Sequence, residues 1–129
     1  MKGDPLNPAD WQKVALMDLA RARKNASEGD LSAATLWLEQ SAEKALKGWL
    51  IGQGWTLVKT HDLERLCKEV AQRGLDVSWF LPSSTRLQQL YFTDRYVDDS
   101  PDPEPDKAEC LRLLAEVERM VETLFPPSP

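Results

Sequence analysis

Histidine is nearly missing from this chain of 129 residues: His61 is the single one. Any imidazole chemistry must therefore use that ring. With one histidine and two separated cysteines, the clustered ligands of a structural or catalytic metal site are lacking, so no metal is expected. Cys67 and Cys110 each fall on the apolar side of a predicted helix. They read as buried free thiols rather than as a disulfide or a ligand pair. A basic excess is missing too: 16 Lys and Arg against 21 Asp and Glu give a net charge of −5. That argues against a dedicated nucleic-acid scaffold but leaves room for a small basic pocket. No apolar run approaches the ~18 residues of a membrane span, and the opening MKGDPLNPADW has no signal-type apolar stretch. The expected location is the cytoplasm. There is no glycine-rich phosphate loop, no nucleophile paired with a base and no internal repeat, so no catalytic residue and no cofactor are assigned.

What is present is helical. The length fits one domain spanning 1–129, with 1–6 and 126–129 as frayed tails. Asn7-Pro8 starts a first helix that runs to about Glu28 and stops at Gly29. Its stripe of Trp11, Val14, Ala15, Leu19, Ala22 and Ala26 contains Asp18. A carboxylate there is either solvated at a rim or paired with a lysine of the second helix or an arginine elsewhere. Asp30 caps a second helix, about Leu31 to Gln53. Thr60 is expected to cap a third from His61 to about Arg73, which places His61 in a first turn. There it is read mainly as a structural residue holding the connector, and secondarily as a ligand or catalytic group. Leu75 to Pro82 reads as a loop or short turn, followed by a fourth helix from Ser83 or Ser84 to about Thr93. The segment VDDSPDPEPD reads as a solvated acidic loop, with a weak divalent-cation site as the minor alternative. A fifth helix follows from about Asp106 to Phe125. The fold class is all-α: an up-and-down antiparallel bundle of four long helices with a possible short one.

The second helix organises the rest. Leu31, Ala34, Leu38, Ala42, Ala45, Leu46 and Trp49 form one face, and Ala33, Leu36, Trp37 and Ile51 lie roughly opposite. The second side is interrupted by Gln40, Glu43, Lys44 and Lys47. A helix apolar on two sides is central, so its outer side is expected to meet a helix, a second subunit or a ligand. Gly48, near its end, is a possible point of close helix approach. Glu43 and Lys47 are in the favourable i,i+4 order and could form a simple surface pair.

Four segments together carry a resemblance: Trp11 with Asp18-Leu19, Glu39 to Lys47 (EQSAEKALK), Lys59 to Leu63 (KTHDL), and Tyr91 to Tyr96 with its Arg95-Tyr96 pair. In this order and spacing they resemble the HEPN domain, a family of small helical proteins associated with minimal nucleotidyltransferases. The resemblance implies a helical bundle, usually dimeric, with a nucleotide-binding or RNA-directed role and a nucleotidyltransferase as a possible partner. Ribonuclease members carry an arginine with a histidine a few residues later. Arg95 is the natural match, but Ser100 to Asp102 stand where that histidine would fall. A ribonuclease of the toxin type is therefore disfavoured.

Two functional classes follow. In a nucleotide-binding or regulatory module, Lys44, Lys47 and Arg95 supply positive charge and Tyr91 or Tyr96 a stacking face, while Asp18 and Glu43 orient the cations. In an interaction protein, Leu36, Trp37 and Ile51 form a homodimer or partner face. A purely structural reading stands beside both: Glu43, Lys47, Asp18 and Arg95 as a buried ion-pair network.

Overall fold

In the computed structural model of the chain, residues 3–95 and 104–127 are described, with 92–95 described by their backbone. Five α-helices follow in order: α1 Pro8–Ser27, α2 Leu31–Gly52, α3 Leu63–Gln72, α4 Leu81–Arg95 and α5 Lys107–Leu124, with a short 3₁₀ turn, Ser78–Phe80, before α4. No strand occurs among the described residues. α2 packs on each of the other four α-helices. Its Leu38, Ala42, Ala45, Leu46 and Leu50 are fully buried in the main core. The central position read from its two apolar sides is thus realised.

The helix ends follow local chemistry. The Asn7 side chain accepts from the Ala9 amide at 3.0 Å, Pro8 supplies the fixed φ of a first turn, and Gly29 takes φ +80° beyond the last turn. Asp30 caps α2 by accepting from the Ala33 amide. Several boundaries differ from expectation. Asp62, not Thr60, caps α3, accepting from the Arg65 amide at 3.2 Å while Thr60 Oγ1 accepts from the Asp62 amide. His61 therefore lies in the connector before the cap, outside the first turn. α4 begins at Leu81 rather than at Ser83 or Ser84, because Pro82 sits in a first turn where its missing N–H leaves no bond unmade. The Ser84 and Thr85 hydroxyls donate back to the Leu81 carbonyl instead of capping. Asp106 is itself the cap of α5, accepting from the Glu109 amide at 2.7 Å, so that helix starts and ends a residue inside the expected span.

Residues 3–6, expected to fray, are pinned. Asp4 N–H donates to Asp10 Oδ2 at 2.8 Å, and the Trp11 indole N–H donates to the Pro5 carbonyl at 2.9 Å. Cys67 and Cys110 are free and buried, and burial pushes the Cys67 thiol up to about 12. The apolar residues expected on the outer side of α2 are half-buried, not open. Trp37 and Ile51 pack against the core, and the Arg21 guanidinium lies 4.8 Å above the Trp37 ring. The more exposed large apolar side chains among the described residues are Leu6, Leu111 of α5, and Leu16 and Met17, neighbours on α1.

α1 and α2 run antiparallel, with Pro8 beside Gly52, Trp11 beside Gly48, and Ala26 clustered with Ala34. The Ser41 hydroxyl, fully buried, donates across to the Ala15 carbonyl at 2.8 Å. Close approach is decided at Gly48, where a Cβ would stand 2.5 Å from Trp11 Cβ and 3.2 Å from Phe125 Cζ. Neither Cβ can rotate away. Gly48→Ala is expected to lower stability by about 1–3 kcal/mol through overpacking, despite alanine's better helix propensity. Urea unfolding of the variant beside the parent checks this, and an equal or higher midpoint would contradict the packing account.

Candidate functional site

The polar residues of α2 gather on one side because Glu39, Glu43 and Lys47 repeat every four positions, with Gln40 and Lys44 on the adjoining stripe. α1, the connector before α3, and α4 surround that side. Asp18 of α1 is buried, at 2 % exposure, and two cations meet it. Arg21 Nη1 stands 2.7 Å from Oδ1 and Lys44 Nζ 3.3 Å from Oδ2. The solvated-rim alternative for Asp18 is thereby removed. Lys44 also donates to Gln40 Oε1 at 3.2 Å, and Gln40 Nε2 donates to Glu39 Oε2 at 2.6 Å. Gln88 of α4 completes the chain: its Nε2 donates to Glu39 Oε1 at 3.3 Å, and its Oε1 accepts from the Leu63 amide at the start of α3.

Glu43 is the second centre. Lys47 Nζ donates to Oε2 at 3.2 Å, and His61 Nδ1 lies 2.7 Å from Oε1. Both Glu43 and Lys47 are buried, so their pair is not the surface pair the i,i+4 spacing suggested. Every buried side-chain polar atom among the described residues has a hydrogen-bond partner. Burial pushes the fully buried Glu39 carboxyl up to about 7, opposed by the Gln40 hydrogen bond and assisted by the nearby Glu43 charge.

The charge balance of this cluster runs against that of the chain. Two carboxylates, Asp18 and Glu43, face three cations, Arg21, Lys44 and Lys47, and Glu39 holds its proton up to near neutrality. With Glu39 protonated the cluster holds one more cation than carboxylate in a chain of net charge −5, and the two balance once Glu39 ionises.

On α4, Gln88, Tyr91 and Arg95 fall at helical three-and-four spacing on one stripe. Tyr91 is buried and so is not the open stacking face expected of it. The Arg95 side chain, Tyr96 and the acidic loop through 103 lie outside the described residues. Glu39 and Gln88 carry much of the network, and neither stood out as a site residue in the sequence. Glu39 lies a helical turn before Glu43, a usable signal. Gln88 offered none, because its role depends on α4 crossing α2.

Similarity decides the family. A model of the HEPN domain matches residues 9–125. The chain belongs to the HEPN domain family. Among solved structures it is similar to ST0689, an archaeal HEPN homologue, at 26% identity over 92% of this chain and 94% of that one, with a TM-score of 0.73. TT1696 from Thermus thermophilus shares the fold at 23% identity, over 91% of this chain and 94% of that one, with a TM-score of 0.77. No curated protein matches the chain. No described helix of this HEPN domain is long and apolar enough to cross a membrane.

Two outcomes follow from the network. Glu43→Ala strands the buried Lys47 ammonium and is expected to cost roughly 3–5 kcal/mol. His61→Ala, which removes an exposed ring, should cost no more than about 1 kcal/mol; paired urea titrations give the comparison. Glu39 adds a pH dependence. Its carboxyl binds a proton more tightly folded than unfolded, so stability falls as pH rises from 4.5 to about 7. The fall is on the order of 3 kcal/mol. Glu39→Gln should flatten this slope, and an unchanged slope in denaturant midpoints measured across that range would refute the assignment.

Proposed function

We propose that this HEPN domain is a non-catalytic nucleotide-binding or regulatory module that recognises phosphate groups. It acts as a homodimer or with a nucleotidyltransferase partner. The observation that carries the reading is the group of three cations, Arg21 of α1 and Lys44 and Lys47 of α2, held around the buried carboxylates Asp18 and Glu43 in an otherwise acidic chain. A folded protein that holds three cations around two carboxylates maintains a standing attraction for an anion. Lys44, at 23 % exposure, is the accessible lysine; Lys47 contributes through its field. Arg95 stands at the end of the α4 stripe that begins at Gln88 and would clamp a phosphate bidentately. With Tyr91 buried, base stacking falls to Tyr96. The ribonuclease alternative is weaker, since no histidine follows Arg95 in the sequence.

Support for self-association comes from α1, where Leu16 and Met17 are nearly half exposed and border a shallow groove with Ala9, Gln12, Lys13 and Ala20. Light-scattering mass is expected to give a dimer at tens of micromolar protein, reduced to monomer by Met17→Glu. Calorimetric titration with ATP, GTP and a short single-stranded RNA tests the ligand. Binding that weakens with added salt and is lost in Arg95→Ala is the expected result. No heat with any of them at millimolar concentration would overturn the reading.

A further inference from the structure

The two lysines of the cluster are already engaged. Lys44 Nζ has Asp18 and Gln40 as acceptors, and Lys47 Nζ lies against Glu43 with 7 % of its side chain exposed. His61 is arranged the other way round. Its side chain is 65 % exposed, while the carboxylate that holds it is 4 % exposed. The 2.7 Å contact is made by Nδ1, and Nε2, across the ring, has no partner among the described residues. A carboxylate shared with the Lys47 ammonium is an acceptor, so Nδ1 donates to it. The bond fixes the orientation of the ring and leaves Nε2 as the outward group.

We propose that His61 is a phosphate-contacting residue of the site, anchored through Nδ1 by Glu43 and donating through Nε2 to a phosphate oxygen of a nucleotide or a single-stranded RNA. This rests on the phosphate-binding reading of the cluster and names the group that makes the contact. Donation from both nitrogens requires the doubly protonated ring, whose charge is offset by Glu43 on one side and the phosphate on the other. The charged groups around it are Glu43, Glu39 and Lys47 of α2, and Lys59 and Asp62 in the connector; α4 contributes the neutral Gln88. Lys59, two residues before His61 in the same connector, is exposed and makes no ion pair among the described residues. The connector thus joins Lys44 in forming the face the ligand meets.

The test uses the whole chain with ATP and a short oligouridylate as probes, read by calorimetry and by the ring ¹⁵N signals of the single histidine. Wild type should bind with a shift of the His61 Nε2 resonance. His61→Gln should weaken binding about tenfold or more, the loss of one charged hydrogen bond, with an unchanged unfolding midpoint, and His61→Arg should recover part of the affinity. A response to ATP alone identifies a free nucleotide, and one to the oligouridylate alone identifies an RNA backbone. Affinity for both probes unchanged in His61→Gln overturns the His61 assignment while the phosphate-binding reading stands. No binding by wild type overturns both.

Discussion

A single buried carboxylate, Glu43, holds together parts of the molecule that are distant in sequence. One oxygen takes the Lys47 ammonium a turn further along the same helix, and the other takes the imidazole of a connector residue 18 positions away. Removing a carboxylate from water is unfavourable unless its lone pairs are met by donors and its charge by cations. Both conditions are satisfied here from two directions. Gln88 acts alongside from α4, bonding to Glu39 and to the first amide of α3, so three elements are locked around the polar side of α2.

The same constraint accounts for the electrostatics. The main core is built of aliphatic side chains on the opposite side of α2, so the polar side must be satisfied from neighbouring helices. Asp18 enters from α1 and meets Lys44 and Arg21. Gln40 transmits the connection from Lys44 to Glu39. Glu39, buried deepest and beside another carboxylate, retains its proton toward neutrality. Under the proposed function, structural network and ligand site are the same residues seen from two sides. The buried members fix the geometry, and the exposed members, His61 and in part Lys44, face solvent.

Much of the fold was legible from local pattern. Asn7-Pro8, Asp30 and the glycines Gly29 and Gly74 marked helix ends correctly, because caps and left-handed turns depend on a few consecutive residues. The three-and-four apolar spacing identified all five helices and the central place of α2. Boundaries failed where two nearby residues could fill the same role, as with Thr60 or Asp62 for the cap of α3, or where Pro82 could stand inside or before a first turn. The segments resembling a HEPN domain are likewise sequential, and the family match over 9–125 agrees with them.

By itself, then, the sequence determined the helical class, the core stripes, the family and the suspicion that Asp18, Glu43, Lys44, Lys47 and Arg95 belonged together, of which the Arg95 side chain lies outside the described residues. Only the tertiary structure decided that Glu43 and Lys47 form a buried pair, that Asp18 pairs with Lys44, that Glu39 and Gln88 join them, and that His61 stands exposed with one nitrogen anchored. It also showed the outer apolar residues of α2 half-buried and left Leu16 and Met17 of α1 open, beside the single exposed Leu6 and Leu111. The reason is physical. Helix formation and apolar periodicity are local properties of the chain, whereas the burial of a charge, and which nitrogen of a ring remains free, depend on how separate helices cross.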